Sequence, residues 1–227
     1  MTAVWAWLRR AAVPLVAVLA LALSGGWLAV RGQTGWPPAA YTDGGGFPGM
    51  IGGAGMMGFG LAGDGRPVGD LDAARARAQR FADRLDPGLR VGEVMRFANH
   101  DYAEIVTAAG AGVTAVLIDR GTGAVSVEPG PAMMWNTRYG MATGAASGGG
   151  SDAGLNTAQA AGIAQHWLRR AGRDVTVDAA EAFPGYYTLD TLRKGRVEGM
   201  LSVQATTGAV WYHGWHGRFL GRTTRTS

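Results

Sequence analysis

The sequence predicts an α+β protein: an N-terminal transmembrane helix, then two repeats of a helix packed on a small antiparallel β-sheet. Three observations carry this. An uncharged apolar run covers Ala11 to Val30, two later stretches correspond under a shift of 85 residues, and in each stretch a helical apolar period gives way to strand-like runs.

The apolar run comes first. Twenty residues at 1.5 Å rise reach about 30 Å, the thickness of a bilayer core, and only Pro14, Ser24, Gly25 and Gly26 depart from apolar character. Arg9 and Arg10 precede it and Arg31 follows, a basic bias that keeps Met1 cytoplasmic and sends residues 32 to 227 outward. Residues 1–31 are therefore read as a cytoplasmic tip and anchor, placing the chain in the cytoplasmic membrane as a single-pass protein with its C-terminal part extracytoplasmic. The alternative is a cleaved signal peptide with Ala20-Leu21-Ala22 as its small-residue pattern, but Trp27-Leu28-Ala29-Val30 carries the run past the usual signal core.

Residues 32–69 follow as a Gly-, Pro- and Met-rich stalk, with Asp43-Gly44-Gly45-Gly46 and Gly52-Gly53-Ala54-Gly55 and no strand or helix period. Such a segment recovers little ordering entropy by burial, and as a coil it spans about 30–35 Å. Gly53-Ala54-Gly55-Met56-Met57-Gly58 satisfies G-x-G-x-x-G on paper, yet lacks the preceding strand and following helix that a nucleotide site needs.

The first unit, residues 70–141, opens with Leu71, Ala74, Ala78, Phe81 and Leu85 on one helical stripe, capped by Asp70 or Asp72 and ended by Asp86-Pro87-Gly88. Strand-like runs follow at Val91 to Phe97, Tyr102 to Thr107, Val113 to Asp119 and Ala124 to Val127, and a Met-Met-Trp extension completes the unit. A Gly/Ser linker, residues 142–154, precedes the second unit, residues 155–220. There Ala160, Ile163, Ala164, Trp167, Leu168 and Ala171 form a stripe capped by Asn156 or Thr157, with strands expected near Asp174 to Phe183, Tyr186 to Leu192, Arg196 to Gln204 and Ala209 to Tyr212. Residues 221–227 are read as a disordered tail. The 85-residue shift lays Gly121-Thr122-Gly123-Ala124-Val125 over Thr206-Thr207-Gly208-Ala209-Val210, Tyr102 over Tyr187 and Gly110 over Gly195, with Gly123 and Gly208 expected at positive φ in tight turns.

A helix followed by antiparallel strands and an Asp-x-x-Thr-Gly-x-Val turn, here Asp119-Arg120-Gly121-Thr122-Gly123-Ala124-Val125 within Tyr102 to Val127, resembles the PepSY domain. The resemblance covers about two thirds of the chain, from Leu71 to Tyr212, and the second copy departs from it with Gln204 in place of the Asp. It implies a noncatalytic protein-binding module that modulates an envelope peptidase or another envelope protein. The block from Glu128 to Gly140, containing Met133-Met134-Trp135-Asn136, is similar to one in Met- and Gly-rich membrane-anchored members of that group.

Composition excludes several classes. Of 21 basic residues, Arg9, Arg10 and Arg31 belong to the N-terminal region, leaving 18 against 17 acids beyond it, a near-neutral balance with no electrostatic footprint for nucleic acid. The absence of cysteine removes disulfides, thiolate metal sites and a lipid-attachment residue. No H-E-x-x-H, G-x-S-x-G or Walker motif occurs, so the chain is read as no enzyme.

The expected partners are thus the membrane and an envelope protein or peptidase, with no cofactor. The alternative is copper. His213 and His216 stand three apart and, under the shift, lie opposite Glu128 and Pro131, just before Met133 and Met134. Imidazole with thioether suits copper, particularly Cu(I), and Met50, Met56 and Met57 add soft donors. The competing expectation is an apolar seam of Met133, Met134, Trp135, Trp211 and Trp215 with solvated imidazoles at its rim. His100 and His166 are assigned no role.

Overall fold

The computed structural model describes residues 60–141 and 154–223. They are mostly β-sheet. One antiparallel sheet has six strands in the order β1-β5-β4-β3-β2-β11, built from β1 (Gly60–Leu61), β2 (Arg90–Phe97), β3 (Asp101–Val106), β4 (Gly112–Ile118), β5 (Val125–Val127) and β11 (Phe219–Arg222). A second antiparallel sheet runs β10-β9-β8-β6, with β7 also paired to β8; its strands are β6 (Thr176–Val177), β7 (Glu181–Phe183), β8 (Tyr186–Arg193), β9 (Arg196–Gln204) and β10 (Val210–Tyr212). Helices are few: α1 (Leu71–Leu85), the single turn α2 (Pro131–Met134) and α3 (Thr157–Arg170).

This corrects the expected fold class. The described residues form two antiparallel sheets with few helices, and none of those helices is long and apolar enough to cross a membrane. The expected spanning segment, 11–30, lies outside the described residues, as do most of the stalk and linker. The two sheets are also tied together. β11, which follows every strand of the second sheet, completes the first by pairing antiparallel with β2, and Phe183, Tyr186 and Met200 belong to the same buried cluster as Phe97, Ile105 and Ile118. The run expected as one strand from Asp174 to Phe183 is split into β6 and β7, whereas its counterpart β2 is continuous over eight residues. The 85-residue correspondence is local: a helix beside neighbouring strands β5-β4-β3-β2 or β10-β9-β8-β6, with Gly123 at φ 70° and Gly208 at φ 71°.

The helices form for the reasons their sequences suggest. Asp70 caps α1 by accepting from the Ala73 N–H at 2.7 Å, and Asn156 and Gln159 form a reciprocal capping box on α3. Each turns small side chains to its sheet, Ala74, Ala78 and Ala82 from α1 and Ala160 and Ala164 from α3, which lets helix and sheet approach closely around Phe81 and Leu168. Gly60–Leu61, in the segment read as stalk, pairs with Ser126 and Val125 of β5.

Candidate metal centre

The ends of β5 and β10 carry corresponding residues, and these converge. Glu128 extends the ladder beyond β5 by donating its N–H to Ala115 O at 2.9 Å. The next turn needs Gly130 at φ 84°, where a Cβ would meet Trp215 at 3.2 Å and Trp211 at 3.3 Å. His213 follows β10 and donates its N–H to Met200 O at 3.0 Å. His216 lies three residues on, its ring stacked on Phe97 at 4.4 Å between centroids, while Trp215 stacks on His213 at 4.6 Å.

Glu128 Oε1 lies 3.1 Å from His213 Nδ1 and 3.1 Å from His216 Nε2, and the two nitrogens are 3.2 Å apart. Side-chain exposure is 0% for Glu128 and His213 and 1% for His216. These edges match a face of a tetrahedral coordination shell: an ion bonded at about 2.0–2.1 Å to each atom would sit about 0.9 Å above their plane. Despite the short distances, neither Glu128 oxygen accepts a properly angled hydrogen bond among the described residues. Distance without direction is what a shared cation would resolve.

The outer ring nitrogens are held. His213 Nε2 is 3.0 Å from Ser202 Oγ, which is 3.0 Å from Thr188 Oγ1, and His216 Nδ1 is 2.7 Å from His100 Nε2. If His213 donates through Nε2 and His216 through Nδ1, both inner nitrogens present lone pairs to the centre. Burial pushes His216 below the ordinary imidazole range, against the pull of Glu128. It lowers His100 to about 3, aided by the charge of His216. Burial alone would raise the Glu128 carboxyl, but the charge of His213 and the polar contacts of both histidines outweigh it and hold Glu128 below the usual carboxylate range. The tautomers that free the inner nitrogens and the anionic carboxylate are the forms that ligate metal.

The residues anticipated for this role divide. His213 and His216 come together, and both are buried rather than solvated at a rim. Met134 is 46% exposed, and Met133 packs against the first apolar cluster. The aromatic seam is present, with Trp135 edge-on to Trp211 at 5.6 Å and Trp211 edge-on to Trp215 at 6.4 Å. The Met-Met-Trp block is fixed by buried Asn136, which donates to Val113 O at 2.7 Å and accepts from the N–H groups of Arg138 and Tyr139. Met50, Met56 and Met57 lie outside the described residues, and His166 is exposed on α3. Sequence reasoning missed Glu128 as a ligand and His100 as a support. The 85-residue shift did place Glu128 opposite His213, so one signal was present; His100 is brought in only by tertiary folding, 116 residues from His216.

A second polar region adjoins the first. Glu93, Glu104, Asp178, Glu181, Asp190 and Thr188 line a cavity of about 60 Å³. Arg222 of β11 faces it, with Nη1 3.4 Å from Glu93 Oε1 and 3.1 Å from Asp190 Oδ2. Burial, then the negative charge of Glu93, raises the Asp190 carboxyl to about 7 despite Arg222. Through Thr188 and Ser202 this cavity is joined by hydrogen bonds to His213.

No protein-family model matches the chain, and neither the curated proteins nor the solved structures contain a match. The likeness to PepSY units therefore rests on the motif residues alone.

Proposed function

We propose that the chain is a noncatalytic envelope protein that binds one divalent first-row transition-metal ion, Zn²⁺ or Cu²⁺, through Glu128, His213 and His216. The triangle of buried donor atoms with sides of 3.1, 3.1 and 3.2 Å carries this reading. Two imidazoles and a carboxylate are borderline-to-hard donors, suited to divalent ions more than to Cu(I), which favours sulfur. Closure of all three ligands argues for holding an ion rather than for catalysis, which requires a position that substrate can reach. Partner binding through a sheet edge has less support, because the outer strands β1, β11, β10 and β6 span two, four, three and two residues.

Calorimetric titration of the metal-free chain with Zn²⁺ and with Cu²⁺, checked by elemental analysis, tests the proposal. One equivalent should bind, and Glu128→Gln and His213→Ala should each weaken binding by at least about 10-fold, the low end for loss of even an outer-sphere contact. Failure of the unaltered chain to bind either ion overturns it.

A further inference from the structure

The three ligands reside on three different parts of the fold, beside the core that the two sheets share. Glu128 belongs to the end of the first sheet, His213 is tied to β9 through Met200 O, and His216 lies on the segment 214–223 that leaves the second sheet and becomes β11. That segment is stitched along β2 and the turn after it. The N–H groups of Ala98 and Asn99 donate to Arg218 O and His216 O, the Val94 N–H donates to Thr223 Oγ1, and the Thr223 N–H donates to Val94 O. Among the described residues no further strand runs outside it, since β11 is the last in its sheet.

Docking this strap brings His216 Nε2 to 3.1 Å from Glu128 Oε1, with no directed donor on that carboxylate, and delivers Arg222 to Glu93 and Asp190. A cation between Glu128, His213 and His216 would bond the strap to both sheets at once. From this arrangement we infer that the metal centre is a latch: ion binding holds the 214–223 strap on β2, and loss of the ion lets the strap lift, baring the β2 edge and withdrawing Arg222 from the acidic cavity. This rests on the metal reading above and adds the conformational change that the ion controls.

Amide hydrogen exchange of the full chain, with and without Zn²⁺, tests the latch. An ion that binds only the docked strap suppresses undocking by the factor one plus the ratio of free ion to dissociation constant. With free Zn²⁺ at 100 times the dissociation constant measured by calorimetry, exchange at Val94, Ala98 and Asn99 should slow about 100-fold, while amides between β3 and β4 change much less. In Glu128→Gln, which keeps the side-chain shape, the same Zn²⁺ addition should slow exchange at these positions by about 10-fold or less. If calorimetry shows Zn²⁺ bound but the three amides are unaffected, or if every strand slows equally, the latch is wrong and the metal site stands. If neither Zn²⁺ nor Cu²⁺ binds, both fall together.

Discussion

Asp190 and Glu128 are buried carboxylates whose environments act on them in opposite senses, and acid separates them. The folded state keeps a proton on Asp190 up to about pH 7, whereas its ordinary value is 3.8. Between those limits the folded chain binds more protons than the unfolded chain, so this contribution to stability is full below about pH 4 and declines as pH rises to 7, by up to about 4 kcal/mol. Asp190→Asn should flatten that decline in denaturant melts between pH 4.5 and 8; an unchanged slope would assign it to another group. Glu128, held low, contributes stability that is present above its ordinary value of 4.5 and lost on further acidification. At this scale the two histidines were legible because their spacing is a chemical pattern. Glu128 was harder to see: beyond β5 the alternation of buried Val125 and Val127 with Ser126 would send it outward, and it is buried against His213 and His216, which lie far along the chain.

Among the elements, those with a long internal period were readable. The α1 stripe, the α3 stripe and the strands from Arg90 to Val127 lie within a residue or so of where apolar spacing and turn residues put them. β1, α2 and β11 were not, because two to four residues carry no period and owe their form to partners far along the chain. The capping box on α3 gives a direct check: Asn156→Ala should cost about 1 kcal/mol in thermal or denaturant unfolding, from loss of its bond to the Gln159 N–H. Gly130→Ala should cost more than that cap, since it combines a φ of 84° with a Cβ 3.2 Å from Trp215, and it should weaken metal binding by shifting Glu128. An alanine at this position with unaltered affinity would show that the turn after β5 does not place the carboxylate.

For the whole molecule, the two units share a strand order, but local similarity cannot reveal a strand that leaves one sheet to finish another. Phe219 packs edge-on to Phe97 at 5.7 Å, and it is half-buried. Phe219→Ala should therefore lower stability by about 2 kcal/mol, less than a fully enclosed phenylalanine would, in a single unfolding transition. Two separate transitions, one per sheet, would contradict the shared core of Phe97, Tyr186 and Met200.

β11 also sets the order in which the molecule can be finished. Its pairing of Phe219 with Phe97 closes a loop of roughly 120 residues, and contacts so distant along the chain form late. As the polypeptide emerges, β2, β3 and β4 can pair promptly, but the outer side of β2 must wait until the last of the described strands has been made. During that interval a nascent chain presents an open strand edge to its neighbours, and crowding of unfinished copies becomes the hazard that the closing strand removes.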